Sequence, residues 1–130
     1  MRGLVVAIVI LGAACGHNEA QGDPQPSRPA NDFAREQARF DADRLPETVV
    51  AALAIGPGSR VADIGAGSGL LTVHLARAVR PNGRVVATDI DGAVLDLLQS
   101  RLAAAGLADL VDRKEVVAER PGLEIGRAHV

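Results

Sequence analysis

A chain of 130 residues with 14 basic and 16 acidic side chains carries a formal net charge of −2, and so lacks the cationic surplus with which a nucleic-acid binder neutralises phosphates. Aromatic residues are nearly absent, with no Trp, no Tyr and only Phe33 and Phe40, which removes the stacking platforms on which single-stranded bases are read. The core must therefore be built from Val, Leu, Ile and Ala.

Met1 and Arg2 precede an apolar or small run from Gly3 to Ala14, followed by the single cysteine, Cys15. A bilayer span needs about 20 apolar residues, so this run has the length of a signal-peptide core behind a thin positive start. "LGAAC" resembles a bacterial lipobox, with Gly12 at the position three before the cysteine and Leu11 one place further back. Residues 1–15 are read as a signal peptide with lipidation at Cys15; a cleaved secretory leader or a misplaced start codon are the alternatives. Residues 16–31 change to Gln, Asn, Pro, Gly, Ser and charge, a composition that buries too little apolar area to offset its ordering entropy, and read as a polar linker. The arrangement implies a membrane-anchored or periplasmic protein if the leader is genuine, and a cytoplasmic one otherwise.

From Asp32 onward a folded domain is expected, to about Glu124. Phe33 and Phe40 share a helical face within a first helix that includes Ala34 to Asp43. Pro46 opens a second helix with Val49, Val50 and Leu53 at helical spacing, stopped by "GPG" at Gly56 to Gly58. Arg60 to Ile64 reads as a short strand. A helix from Leu70 to Val79 with Leu71, Leu75, Ala78 and Val79 on its buried stripe comes next, and "PNG" leads to a second strand, "RVVATD", ending at Asp89. Asp91 is placed to cap a further helix to about Ala105, stopped by Gly106, and a last strand is expected around Lys114 to Ala118. Alternating strands and helices predict an α/β fold with a parallel sheet in the order 3-2-1, of which three strands are visible. The first strand would then form an open apolar edge, and such a chain on its own is expected to bind a cofactor weakly or not at all and to aggregate. Residues 125–130, "IGRAHV", resemble the translation of a widely used sequencing adapter and are read as a non-native tail, with a natural polar tail as the alternative.

Between the first strand and the next helix stands "VADIGAGSG", with glycines at 65, 67 and 69. Without Cβ atoms a backbone turn can approach a ligand closely, and the following helix start offers unpaired N–H groups. A dinucleotide fingerprint needs G-x-G-x-x-G, whereas Leu70 stands where its last glycine would fall. Asp63 would also repel a pyrophosphate while suiting a cationic amino-acid moiety. His74, inside a helix, is read as a helix-surface residue rather than a base.

"VADIGAGSGLLTVHLA" followed by "GRVVATDID" resembles the first two motifs of the class I S-adenosylmethionine-dependent methyltransferases, over roughly Leu53 to Ala118. The resemblance implies a Rossmann-like methyltransferase fold and S-adenosylmethionine as cofactor. It implies that Asp63, Gly65, Ala66, Gly67 and Gly69 form the loop around the methionine part. It further implies that Asp89 accepts hydrogen bonds from both ribose hydroxyls and that Ile90 packs on the adenine. The methyl acceptor and the catalytic residues stay unassigned, and no metal is implied. A membrane-anchored non-catalytic Rossmann-like module and an NAD(P)-binding oxidoreductase fragment are the competing readings. An exported methyltransferase would be separated from a cofactor made in the cytoplasm, which is the strongest reason to keep the module reading open.

Overall fold

A computed structural model describes residues 30–120. Helices α1 (Ala30–Arg44) and α2 (Pro46–Ala52) lead into β1 (Arg60–Ile64), α3 (Leu70–Val79), β2 (Arg84–Asp89) and α4 (Gly92–Ala104). A 3-10 turn, Ala108–Leu110, then enters β3 (Val111–Glu115). The leader, Cys15, most of the linker and the 125–130 tail lie outside the described residues.

The three strands pair in parallel in the order β1-β2-β3, which is the order expected from the sequence. In a strand, alternate residues share a face, and register pairs Val61 with Val85 and Asp63 with Ala87. These four are buried beneath α3 and α4, while Ala62, Ile64 and Val86 on the opposite face are only half-buried. The core is aliphatic, with Leu75, Leu98, Leu102, Val79 and Val85 fully enclosed. Burial of so many branched side chains at about 25 cal/mol per Å² supplies most of the gain in folding. Phe40, with Val50 and Leu53, packs from α1 and α2 onto the edge of this cluster.

Local signals explain most boundaries. Pro46 occupies the first turn of α2, and Asp91 caps α4 by accepting from the Ala93 N–H at 2.8 Å. Gly106, at φ +69, ends the segment after α4. The last strand starts three residues earlier than expected. Its only buried residue is Val111, and Asp112 to Glu115 are exposed. Val116 and Val117 suggest a strand by composition, yet they follow it: the Val116 N–H donates to the Asp89 carbonyl, and Val117 forms an isolated antiparallel bridge with Arg120. An edge strand can carry a polar sequence because one row of its backbone groups is unpaired and most of its side chains face water. Here Arg84 grips the Asp112 carboxylate with two nitrogens at 2.9 and 2.6 Å, and Arg113 reaches Asp96 at 2.6 Å.

Candidate functional site

The carboxyl ends of β1 and β2 and the start of α3 meet at the glycine loop. Gly65, Gly67 and Gly69 all have positive φ, at +72°, +57° and +88°. Their surroundings differ. A Cβ on Gly69 would lie 2.9 Å from Leu98 Cγ, so this glycine lets the loop seat on α4. Around Gly65 and Gly67 a Cβ would meet nothing within 4 Å; they line an open cradle that a side chain would fill.

The loop's N–H groups are largely engaged within the protein. Gly65 and Ala66 both donate to the Thr88 carbonyl, at 2.8 and 2.9 Å, and Gly69 donates to the Ala66 carbonyl at 3.1 Å. Gly67 donates to Asp89 Oδ2 at 2.9 Å, while Asp89 Oδ1 accepts from the Asp91 N–H at 3.0 Å. Each Asp89 oxygen thus holds one backbone donor and keeps lone-pair capacity for another. Ile90, beside it, is 62% exposed, an uncovered apolar surface adjoining the cradle.

Asp63 lies beneath the loop and is only 2% exposed. Its Oδ2 accepts from the Thr72 hydroxyl at 2.7 Å. Burial pushes its carboxyl up, to about 6; the Thr72 hydrogen bond opposes the shift and the neighbouring Asp89 charge adds to it. The Asp63 carboxylate beneath the loop and the Asp89 carboxylate beside it repel one another, a local field that favours a cation. The fold places the residues named for the cofactor site, Asp63, Gly65, Ala66, Gly67 and Gly69, then Asp89 and Ile90, at or beside this one loop, while Cys15 lies outside the described residues.

Three contributors escape a reading of the sequence. Thr72 anchors Asp63. Thr88 supports the loop through its carbonyl, and its buried hydroxyl has no hydrogen-bond partner. Arg101 donates to the Ser68 carbonyl at 2.9 Å, and its signal is legible as a lone charge in register with Leu98 and Leu102. His74 also departs from expectation. Its side chain is 10% exposed, and Nε2 lies 2.7 Å from Asp41 Oδ1, because α1 covers that face of α3. Partial burial pushes Asp41 up, but the hydrogen bonds from Gln37 and His74 outweigh it and hold the carboxyl below its ordinary range. Among the described residues no group of three or more His, Cys, Asp or Glu is arranged to hold a metal.

Over this region the chain is similar to known proteins. Residues 61–121 match the model of a family described as a methyltransferase domain. Over 66 residues the chain is 39% identical to the ubiquinone/menaquinone biosynthesis C-methyltransferase UbiE of Ectopseudomonas mendocina (strain ymp), covering 51% of this chain and 26% of the relative. The chain spans about a quarter of the length of the curated relatives it matches. Among solved structures, TrmN from Thermus thermophilus superimposes with a TM-score of 0.55 at 25% identity, over 65% of this chain and 26% of that one. The O-methyltransferase from Bacillus cereus, solved with SAH, also gives 0.55, at 22% identity over 70% of this chain and 46% of that one, and shares the fold. The described region has the α/β, Rossmann-like fold seen in methyltransferases, and residues 61–121 within it match the methyltransferase-domain model.

Proposed function

We propose that this chain supplies the cofactor-binding part of an S-adenosylmethionine-dependent methyltransferase. The observation that carries the reading is how the loop is wired. Its Gly65, Ala66 and Gly67 N–H groups already donate to Thr88 and Asp89, and one carboxylate, Asp89, lies on the loop while another, Asp63, is buried beneath it. A pyrophosphate needs free N–H donors and no adjacent negative charge, so the same arrangement disfavours a dinucleotide. A cationic ligand gains from it.

The residues present fit the cofactor. Gly65 and Gly67 would admit its methionine part, the remaining acceptor capacity of Asp89 suits a vicinal diol, and Ile90 offers an apolar face to a purine. When bound, the cofactor supplies a methyl group on a sulfonium, an electrophile that needs an aligned nucleophile and exclusion of water. This chain's part is orientation and electrostatics: Asp89 holds the loop's shape through Gly67, and Asp63 and Asp89 together favour positive charge near the cradle. The methyl acceptor and the catalytic residues are unassigned. The relatives named as ubiquinone/menaquinone biosynthesis C-methyltransferases direct the first acceptor screen toward carbon nucleophiles.

Calorimetric titration of the full chain, carried into millimolar ligand, tests the reading. Binding of S-adenosylhomocysteine with no heat from NAD is expected; binding of NAD in preference would overturn it. Asp89→Asn should weaken S-adenosylhomocysteine at least about tenfold, because hydrogen bonds to a charged acceptor contribute about 1.5–3 kcal/mol each and the amide offers only one oxygen. An unchanged affinity would remove Asp89 from the site.

We further propose, from the sequence of residues 1–15, that the chain is exported and lipidated at Cys15, with membrane attachment through that lipid. Intact-mass analysis of the membrane fraction from a bacterial host should show a diacylglyceryl adduct that disappears in Cys15→Ser. An unmodified chain in the soluble cytoplasmic fraction would refute both export and anchoring.

A further inference from the structure

Arg101 is the only basic side chain among the buried polar and charged residues described, at 4% exposure. Burying a guanidinium is costly unless its donors are matched, and here they are matched by two separate pieces of the chain. Nε donates to the Ser68 carbonyl in the glycine loop at 2.9 Å. Nη1 donates to the Phe33 carbonyl and to Gln37 Oε1, at 3.1 and 3.3 Å, and Nη2 to Glu36, all in α1. The Phe33 ring lies 4.9 Å from the guanidinium carbon.

The seam continues along α1. Gln37 Nε2 donates to the Leu70 carbonyl at 2.9 Å, and Asp41 meets His74 one turn further on. Positions 33, 37 and 41 recur every four residues, so one face of α1 lies along the loop and the start of α3. That face is held mainly by polar contacts, since only Phe33 and Phe40 are large and apolar in α1. Such an attachment opens more readily than an aliphatic one. At its end stands Leu45, a non-glycine residue at φ +46 joining α1 to α2, a backbone state that costs about 1–2 kcal/mol.

We propose that Arg101 is a positioning residue of the cofactor site: through one guanidinium it fixes the Ser68 carbonyl of the glycine loop and docks α1 on that loop, so that ordering of the loop and docking of α1 form a single equilibrium. A ligand that orders the loop therefore also draws α1 down beside it. The ligand part of this inference rests on the function proposed above; the coupling of loop to helix does not.

Hydrogen exchange on the full chain tests it, with and without S-adenosylhomocysteine. Arg101→Met and Arg101→Lys should each speed exchange roughly tenfold or more in two separate segments, 31–44 and 65–72, with the amides of β2 unchanged, as expected for loss of charge-assisted hydrogen bonds in a locally opening unit. Lysine cannot reach both segments with one planar fork, so it should not rescue. Faster exchange in α1 with the loop unaffected would overturn the coupling. Where Arg101→Met melts the whole chain, Gln37→Ala, which leaves α4 intact, carries the same expectation, and loop protection unaltered in that variant overturns the proposal. In the parent chain S-adenosylhomocysteine should slow exchange over 31–44; binding without that slowing would also overturn it. Absence of binding altogether refutes the proposed function, and the ligand-free comparison of variants then decides the coupling by itself.

Discussion

Asp63→Asn should make the ligand-free chain more stable at neutral pH while removing much of its affinity for S-adenosylhomocysteine. In the folded chain the Asp63 carboxyl titrates at about 6, against an ordinary 3.8, with burial as the largest cause. A carboxylic acid whose folded pKa is raised binds its proton more tightly when folded, so stability falls as pH rises from about 4 through 6. Above that window the deprotonated group costs about 3 kcal/mol, because each tenfold difference in proton affinity between the folded and unfolded chain corresponds to about 1.4 kcal/mol. An amide keeps an oxygen to accept from the Thr72 hydroxyl, 2.7 Å from the carboxylate, and removes the charge. The stability gain should therefore approach about 2–3 kcal/mol at pH 7.5 and vanish below about pH 4, and in a domain of this size each kcal/mol moves Tm by about 4–8 °C. Melting curves of parent and variant at the two pH values check it. Equal Tm at pH 7.5 would show that Asp63 is not held against its own charge. Maintaining a destabilised carboxylate beneath the cradle is explicable if a bound cation relieves it, so binding by the parent should also release protons near pH 6.

The sequence makes legible what depends on local chemistry and hides what depends on contacts across the chain. The glycine loop, Asp89 at a strand end and Asp91 as a cap are set by spacing, and each lies where the pattern places it. Strand β3 lies ahead of its expected place because its tendency to pair comes from β2 beside it, while the adjacent Val116 and Val117 give a stronger local signal. Tertiary context outweighs propensity there. His74 reads as a surface residue because periodicity within α3 cannot reveal that α1, more than thirty residues earlier, lies across it. Thr72 is the same kind of case. Its buried role arises only once α3 is packed on β1, bringing its hydroxyl to Asp63.

The glycines of the loop should separate under substitution, although the sequence presents them as equivalent. Gly69→Ala faces two penalties: a φ of +88 and a methyl group 2.9 Å from Leu98 Cγ, with the Leu98 Cα only 3.4 Å away. A left-handed alanine costs about 1–2 kcal/mol and overpacking a closed core about 1–3 more. Natural domains have only about 5–15 kcal/mol in total, so Gly69→Ala should lower Tm by at least about 10 °C. Gly67→Ala incurs the backbone cost alone, since a Cβ there meets open space. That variant should fold, with Tm lower by about 4–8 °C for each kcal/mol lost, yet lose binding of S-adenosylhomocysteine because its methyl group occupies the cradle. Thermal melts and calorimetry on the pair decide between two uses of glycine. If Gly67→Ala folds and binds as the parent does, the open side of the loop is not where the ligand lies; if Gly69→Ala melts like the parent, the close approach to α4 does not set the loop's geometry.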